Sequence, residues 1–204
     1  MAVSRIKTSS VLQGFPKSRS LLAGNPPFTP SSFESIATAT GTGSSNTITF
    51  SSIPSTYKHL QVRGFYRDTY TGLDTSFALF VHFNGDTSNI YNAHRLQGDG
   101  SAVSAVDDSR SGKFPIWFAG YSTQTFSTVG GVMIMDIHDY ASTTKNKTVR
   151  TLSGVNDNTL GSNGVALQSA LYRSTNAINS ITLTADGTAF ATNTVYSLYG
   201  IKGD

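Results

Sequence analysis

Four histidines, His59, His82, His94 and His138, are the side chains best suited to proton transfer or metal binding in this chain. A metal centre or a catalytic triad needs two or three such groups converging in space. His138 lies in Asp136-Ile137-His138-Asp139, where a period of two puts Asp136 and His138 on one face of a strand as a candidate metal pair. Two ligands at that spacing fit an ordinary surface strand better than a metal site. His82 sits inside the apolar run Phe77–Phe83 and reads as a buried, hydrogen-bonded side chain. Asp107 and Asp108 are the paired carboxylates that glycoside chemistry would use. Ser109-Arg110-Ser111-Gly112 follows them, however, and marks a solvated loop. Asn156-Asp157-Asn158 supplies part of a calcium loop and, equally, an Asx turn. There is no nucleophile elbow, phosphate loop, dinucleotide fingerprint or EF-hand. With no cysteine, disulfides, thiol nucleophiles and cysteine-based zinc sites are excluded. The expectation is a non-enzyme with no catalytic residue, no cofactor and no metal.

Binding chemistry is equally sparse. Lys145, Lys147 and Arg150 form a short basic cluster, but three charges are too few for a nucleic-acid patch, so no nucleic acid is expected. Phe114, Trp117, Phe118 and Tyr121 lie close enough to stack on a sugar, although core packing of a sandwich accounts for the same residues. Asn146-Lys147-Thr148 fits a glycosylation acceptor, which has meaning only in an exported chain.

The elements that must hold these residues are strands. Of 204 residues only 13% are charged, against about 25% in an ordinary globular domain, and eleven of the twelve acids are Asp. Strong helix formers are scarce, while Ser, Thr, Gly, Asn and aromatics abound, a balance that favours β structure with many turns. Candidate strands are Phe33–Thr40, Asn46–Ser51, Lys58–Tyr66, Phe77–Phe83, Tyr91–Gln97, Lys113–Tyr121, Phe126–Ile137, Lys147–Val155, Val165–Tyr172, Ile178–Ala185 and Thr194–Ile201. Turn clusters such as GTGSSN, NGDTSN and GDGS separate them. Leu60 and Val62 alternate with His59, Gln61 and Arg63 as on a half-buried antiparallel strand. Phe77–Phe83, apolar on both faces, is the expected central strand; Val165–Tyr172 also reads as a helix. The predicted fold is an all-β antiparallel sandwich or jelly roll over residues 33–204.

Residues 1–32 differ in kind. Four bases (Arg5, Lys7, Lys17, Arg19) and no acid precede Glu34, so the body keeps eleven bases against twelve acids and the high isoelectric point belongs to this segment. Four of the six prolines fall here, yet so do Val3, Ile6, Val11, Leu12, Phe15, Leu21, Leu22 and Phe28, an apolar content that a solvated linker does not need. The expectation is an extended anchoring arm, with Phe15, Leu21 and Leu22 as apolar anchors and the four bases facing an acidic partner. No apolar h-region follows Arg5 and Lys7, and no stretch reaches the ~20 apolar residues of a membrane span, so neither export nor membrane contact is expected.

The run SFESIATATGTGSSNTITFSSIPSTYKHLQVRG and the ending AINSITLTADGTAFATNTVYSLYGIKG resemble the small β-sandwich modules of tailed-bacteriophage virion proteins, found in outer head proteins and tail-fibre tips. The resemblance covers both ends of the body and supplies no catalytic residues. It implies a virion structural protein, assembled in the host cytoplasm and attached to other virion proteins through its N-terminal segment. A capsid decoration or cement protein is the first expectation. A tail-fibre protein with a receptor- or carbohydrate-binding tip, touching a host surface glycan, is the alternative. Because sheet edges need to be paired or hidden, a homotrimer is expected.

Overall fold

The computed structural model describes residues 32–71, 76–109, 112–121, 129–156 and 163–203. The strands belong to a body spanning Ser32–Asp204, while Met1–Ser31 is a separate unit. Among these residues twelve strands follow one another, the first six being β1 (Phe33–Thr40), β2 (Thr47–Phe50), β3 (His59–Arg67), β4 (Ser76–Phe83), β5 (Tyr91–Gly98) and β6 (Val103–Asp107). The second half contains β7 (Phe114–Tyr121), β8 (Gly131–Ile137), β9 (Lys147–Val155), β10 (Gly164–Tyr172), β11 (Ile181–Ala185) and β12 (Val195–Ile201). No helix occurs among the described residues, so Val165–Tyr172 resolves as strand β10. The sequence reading missed β6 altogether.

Two sections make up the sheet. The short one runs β2-β11-β4-β7, which puts β4, the expected central strand, between two neighbours. The long one runs β1-β12-β3-β8-β9-β10-β5-β6. All ladders are antiparallel except a two-residue parallel contact in which Tyr66 and Arg67 of β3 meet Gly120 and Tyr121 of β7. That contact makes the sheet mixed rather than wholly antiparallel. The short section lies over the long one, with β7 packed across β8, β9, β10 and β5.

Alternation explains the core. Leu60, Val62 and Tyr66 of β3, Met133, Met135 and Ile137 of β8, and Ile181 and Leu183 of β11 all point inward and are buried. At one end, four rings interlock: Tyr91 stacks on Tyr172 with centroids 5.1 Å apart, and Phe83 meets Tyr172 at 5.4 Å and Phe114 at 5.9 Å. At the other, Phe190 stands edge-on to Tyr66 at 5.0 Å and Tyr196 at 5.9 Å. Each such buried side chain contributes ~1.5–3 kcal/mol. Burial also holds the Tyr66 and Tyr91 hydroxyls above the ordinary tyrosine range, so both act only as neutral hydrogen-bonding groups.

The turn after β8 carries an acid-labile clamp. Asp139 adopts a left-handed backbone (φ 48°) and brings its carboxylate 2.7 Å from Lys145 Nζ and 3.1 Å from Lys58 Nζ. The two ammonium groups, Lys145 first, hold the carboxyl down at about 2 against an ordinary 3.8. A depressed carboxyl stabilises the fold fully above its unfolded value and loses that contribution as pH falls through the folded one. Asp139→Asn keeps a residue that tolerates the left-handed turn but removes the charge. Its thermal midpoint should therefore lie below wild type at pH 6 and converge on wild type by pH 2. A gap unchanged at pH 2 would show that the charge is not the cause.

Candidate interaction face

Along β3, β8, β9, β10, β5 and β6 the side chains alternate between the inside and the outside of the sandwich. Antiparallel register lines the outward ones up in rows across the strands. The middle row is Arg63, Ile134, Leu152, Leu167, Leu96 and Ala105. On one side of it runs Phe65, Val132, Gly154, Val165, Gly98 and Val103; on the other runs a polar row of Gln61, Asp136, Arg150, Ser169, His94 and Asp107.

Two of these rows are apolar and uncovered. Leu96 is 51% exposed, Leu152 50%, Val165 53% and Val132 56%, although all four lie in the interior of the sheet rather than at its ends. Beside Val132 and Val165 opens a trough of about 800 Å³, rimmed by Gly98, Asp99, Asn156 and Asn163. The polar row is internally paired: Gln61 Nε2 donates to Asp136 Oδ1 at 2.6 Å, and Arg150 lies 3.5 Å from Asp136 Oδ2.

Behind this face the polarity is reversed. Arg95, Gln168 and Thr151 are cross-strand neighbours on the inward side, and all three are buried. The reason lies in β7, which places three residues, Trp117, Phe118 and Ala119, where β4 places Ala78 alone. Phe118 takes the left-handed backbone of a bulge (φ 51°), and the carbonyls of β7 at this point need donors from across the sandwich. Gln168 Nε2 donates to the Pro115 carbonyl at 2.5 Å and Ser153 Oγ to the Trp117 carbonyl at 2.6 Å. The Arg95 guanidinium lies 4.6 Å from the centroid of the Trp117 ring, with Arg95 Nε 3.0 Å from Asp108 Oδ2. Gln168, Ser153 and Arg95 thus serve β7 from inside, and the aliphatic groups of the same strands face out.

Among the described residues, those singled out from sequence are spread over separate strands and turns. Asp136 belongs to the polar row, and His138 packs edge-on against His59 with centroids 5.0 Å apart. Among the described residues no group of three or more His, Asp or Glu side chains is placed to hold a metal ion. Asp107 is exposed at the end of β6, where its carboxylate accepts the Ser109 amide at 2.9 Å. Asp108 corrects the expectation of a solvated loop: it is buried against Arg95, a partner 13 positions earlier that only strand pairing brings near. His82 is half-buried, and burial lowers its pKa.

The basic cluster disperses. Lys145 pairs with Asp139, Lys147 is fully buried and Arg150 joins the outer polar row. The aromatic group is core rather than platform at Phe114 and Phe118, both buried, and Trp117 lies beneath Arg95; the Tyr121 side chain lies outside the described residues. Asn156 borders the trough, whereas Asp157 and Asn158 lie outside the described residues. So do Arg5, Lys7, Phe15, Lys17, Arg19, Leu21 and Leu22. The apolar face itself was not foreseen. Its signal is the Val165-Ala166-Leu167-Gln168 alternation, in which the larger aliphatic residues fall opposite to a buried glutamine. Set against known proteins, the chain matches no protein family and no curated protein sequence.

Proposed function

We propose that the chain is a non-enzymatic structural protein of a tailed-bacteriophage virion, and within that class a capsid decoration protein. The observation that carries the reading is the outer face of the long sheet. Ile134, Leu152, Leu167 and Leu96 stand half-exposed in one unbroken row, with a valine row beside them. Contiguous apolar surface of this extent is characteristic of interaction sites, and it supports a protein that works in an assembly. The resemblance of residues 32–64 and 177–203 to virion β-sandwich modules supports the same class. Attachment to the particle is assigned to residues 1–32, through Phe15, Leu21 and Leu22, with Arg5, Lys7, Lys17 and Arg19 setting orientation against an acidic surface.

Quantitative mass spectrometry of purified virions tests this. Hundreds of copies per particle support a decoration protein; a few tens, recovered with detached tails, support the fibre reading with its glycan-binding tip. Absence from the particle refutes both. The anchoring assignment predicts that the triple variant Phe15→Ser/Leu21→Ser/Leu22→Ser falls at least tenfold in particle occupancy. Changing the four bases to Gln should instead weaken attachment mainly at low salt, where the charges of the wild type are least screened, and leave it less sensitive to salt. Full occupancy of the triple variant would remove the segment from the account.

A further inference from the structure

We infer that the outer face of the long sheet pairs with the same face of a second copy, about a two-fold axis that runs along the strands between β9 and β10. This rests on the face alone and holds whatever particle the chain joins. An axis parallel to the strands preserves position along each strand and reverses strand order. It sets β9 against β10 of the second copy, β8 against β5, and β3 against β6, in the aligned packing that two twisted sheets favour.

The three rows then meet themselves in reverse, and the side chains complement one another. In the valine row, Val132 faces Gly98 of the second copy and Val165 faces its Gly154, so both central valines meet a position without a side chain, while Phe65 and Val103 meet as an apolar pair at the margin. In the middle row, Leu152 faces Leu167 and Ile134 faces Leu96. In the polar row, Asp136 faces His94 and Asp107 faces Gln61, with Arg63 of the second copy one row away from Asp107. No acid opposes an acid. The other two-fold, perpendicular to the strands, sets the valine row on the polar row and covers the Asp136 carboxylate with Val132; desolvating that charge against a hydrocarbon disfavours it.

Extent agrees with this. The exposed aliphatic side chains of the two apolar rows present on the order of 600 Å², at the upper limit of what a monomer carries. Two copies together remove roughly 1,200 Å² from water before the polar row is counted, which reaches the size of a stable interface.

The test uses the purified full-length chain. Sedimentation velocity over a concentration series should show a dimer, and Leu152→Lys/Leu167→Lys should weaken association at least a hundredfold while the far-ultraviolet spectrum stays that of wild type and the thermal midpoint loses its dependence on protein concentration. Since the chain has no cysteine, the axis can be tested directly. A 1:1 mixture of Ile134→Cys and Leu96→Cys chains, treated with a short bismaleimide able to cross the ~10 Å between packed sheets, should give a cross-linked heterodimer. Neither variant alone should cross-link, because each cysteine lies opposite the other position. A monomer throughout the series overturns the proposal, whether the face is then covered by residues 1–31, by another protein or by nothing. A dimer or trimer that survives the lysine substitutions overturns it as well, and cross-linking within a single variant overturns the axis.

Discussion

Asp68→Ala is expected to lower the unfolding free energy by about 3–5 kcal/mol, the largest loss from any single polar residue of the body. The side chain has no exposed surface, and four donors converge on it. Tyr66 Oη donates to Oδ2 at 2.7 Å, while Oδ1 accepts the Tyr70 amide at 2.8 Å, the Thr188 amide at 3.0 Å and the Thr188 hydroxyl at 3.1 Å. Alanine strands all four, and the Tyr66 hydroxyl is the costliest because it is wholly buried beside Phe190. The Tyr70 and Thr188 groups are only partly buried and recover some water, so the losses do not sum to the full value of each.

Asp68→Asn separates charge from shape. Its amide oxygen can still accept from Tyr70 and Thr188, and the Tyr66 hydroxyl can turn to accept from the amide nitrogen, so about 1–2 kcal/mol is expected. Gly187 supplies an independent check, since a Cβ there would lie 2.5 Å from the Asp68 carboxylate; Gly187→Ala should be destabilising by displacing that carboxylate, although it removes no donor or acceptor. Urea unfolding measures all three. An Asp68→Ala loss below 1 kcal/mol would show that the carboxylate is not the hub of this corner. The corner matters for the whole molecule because β3 leaves the long section here and meets β7 of the short one through Tyr66 and Arg67. The same β3 contributes Arg63 and Phe65 to the outer face, so loosening at Asp68 should also weaken any assembly made through that face.

Eleven of the twelve strands among the described residues were legible because most carry a period-two signal, Phe77–Phe83 is a short apolar run, and turn residues bound them all. In β1 and β9 even the ends, Phe33–Thr40 and Lys147–Val155, coincide. β6 was not legible: Val103–Asp107 is short, flanked by polar turns and paired only with β5, so edge position rather than local pattern makes it a strand. The site was less legible still, and Asp108 shows why. Ser109, Arg110 and Ser111 follow it in sequence, yet Arg95 on β5 buries it, and no local window contains both. The apolar face reflects the same problem. Alternation tells which residues of β9 and β10 share a side but not which side is inside. Gln168 and Ser153 went inward because the β7 bulge needed donors, and Leu167 and Leu152 went outward as a consequence.

Lys147→Met should destabilise the body by about 2–4 kcal/mol, although it exchanges a buried charge for a buried hydrocarbon of similar length. Lys147 opens β9 on its inward row and has no exposed surface. Its ammonium donates to the carbonyls of Lys145 at 2.7 Å, Thr175 at 3.2 Å and Ser174 at 3.3 Å, with no carboxylate in contact. Burial accordingly lowers its pKa from the ordinary lysine value, as desolvation does to a cation whose partners are dipoles. Two effects oppose each other in the Met variant. Relief of desolvation favours it, while three carbonyls lose their only charged donor. The carbonyls prevail, because they belong to two separate turns: Lys145 to the turn between β8 and β9, and Ser174 and Thr175 to the segment that leaves β10. Without the ammonium the two segments keep the bond from the Ile178 amide to the Tyr140 carbonyl at 2.9 Å, but the three carbonyls, turned toward one point, repel. Lys147→Arg should recover little, since a planar guanidinium cannot aim three short bonds at converging oxygens. If the Met variant were as stable as wild type in urea, the turns would have to be held by their own hydrogen bonds, and the buried ammonium would be a passenger rather than a tie.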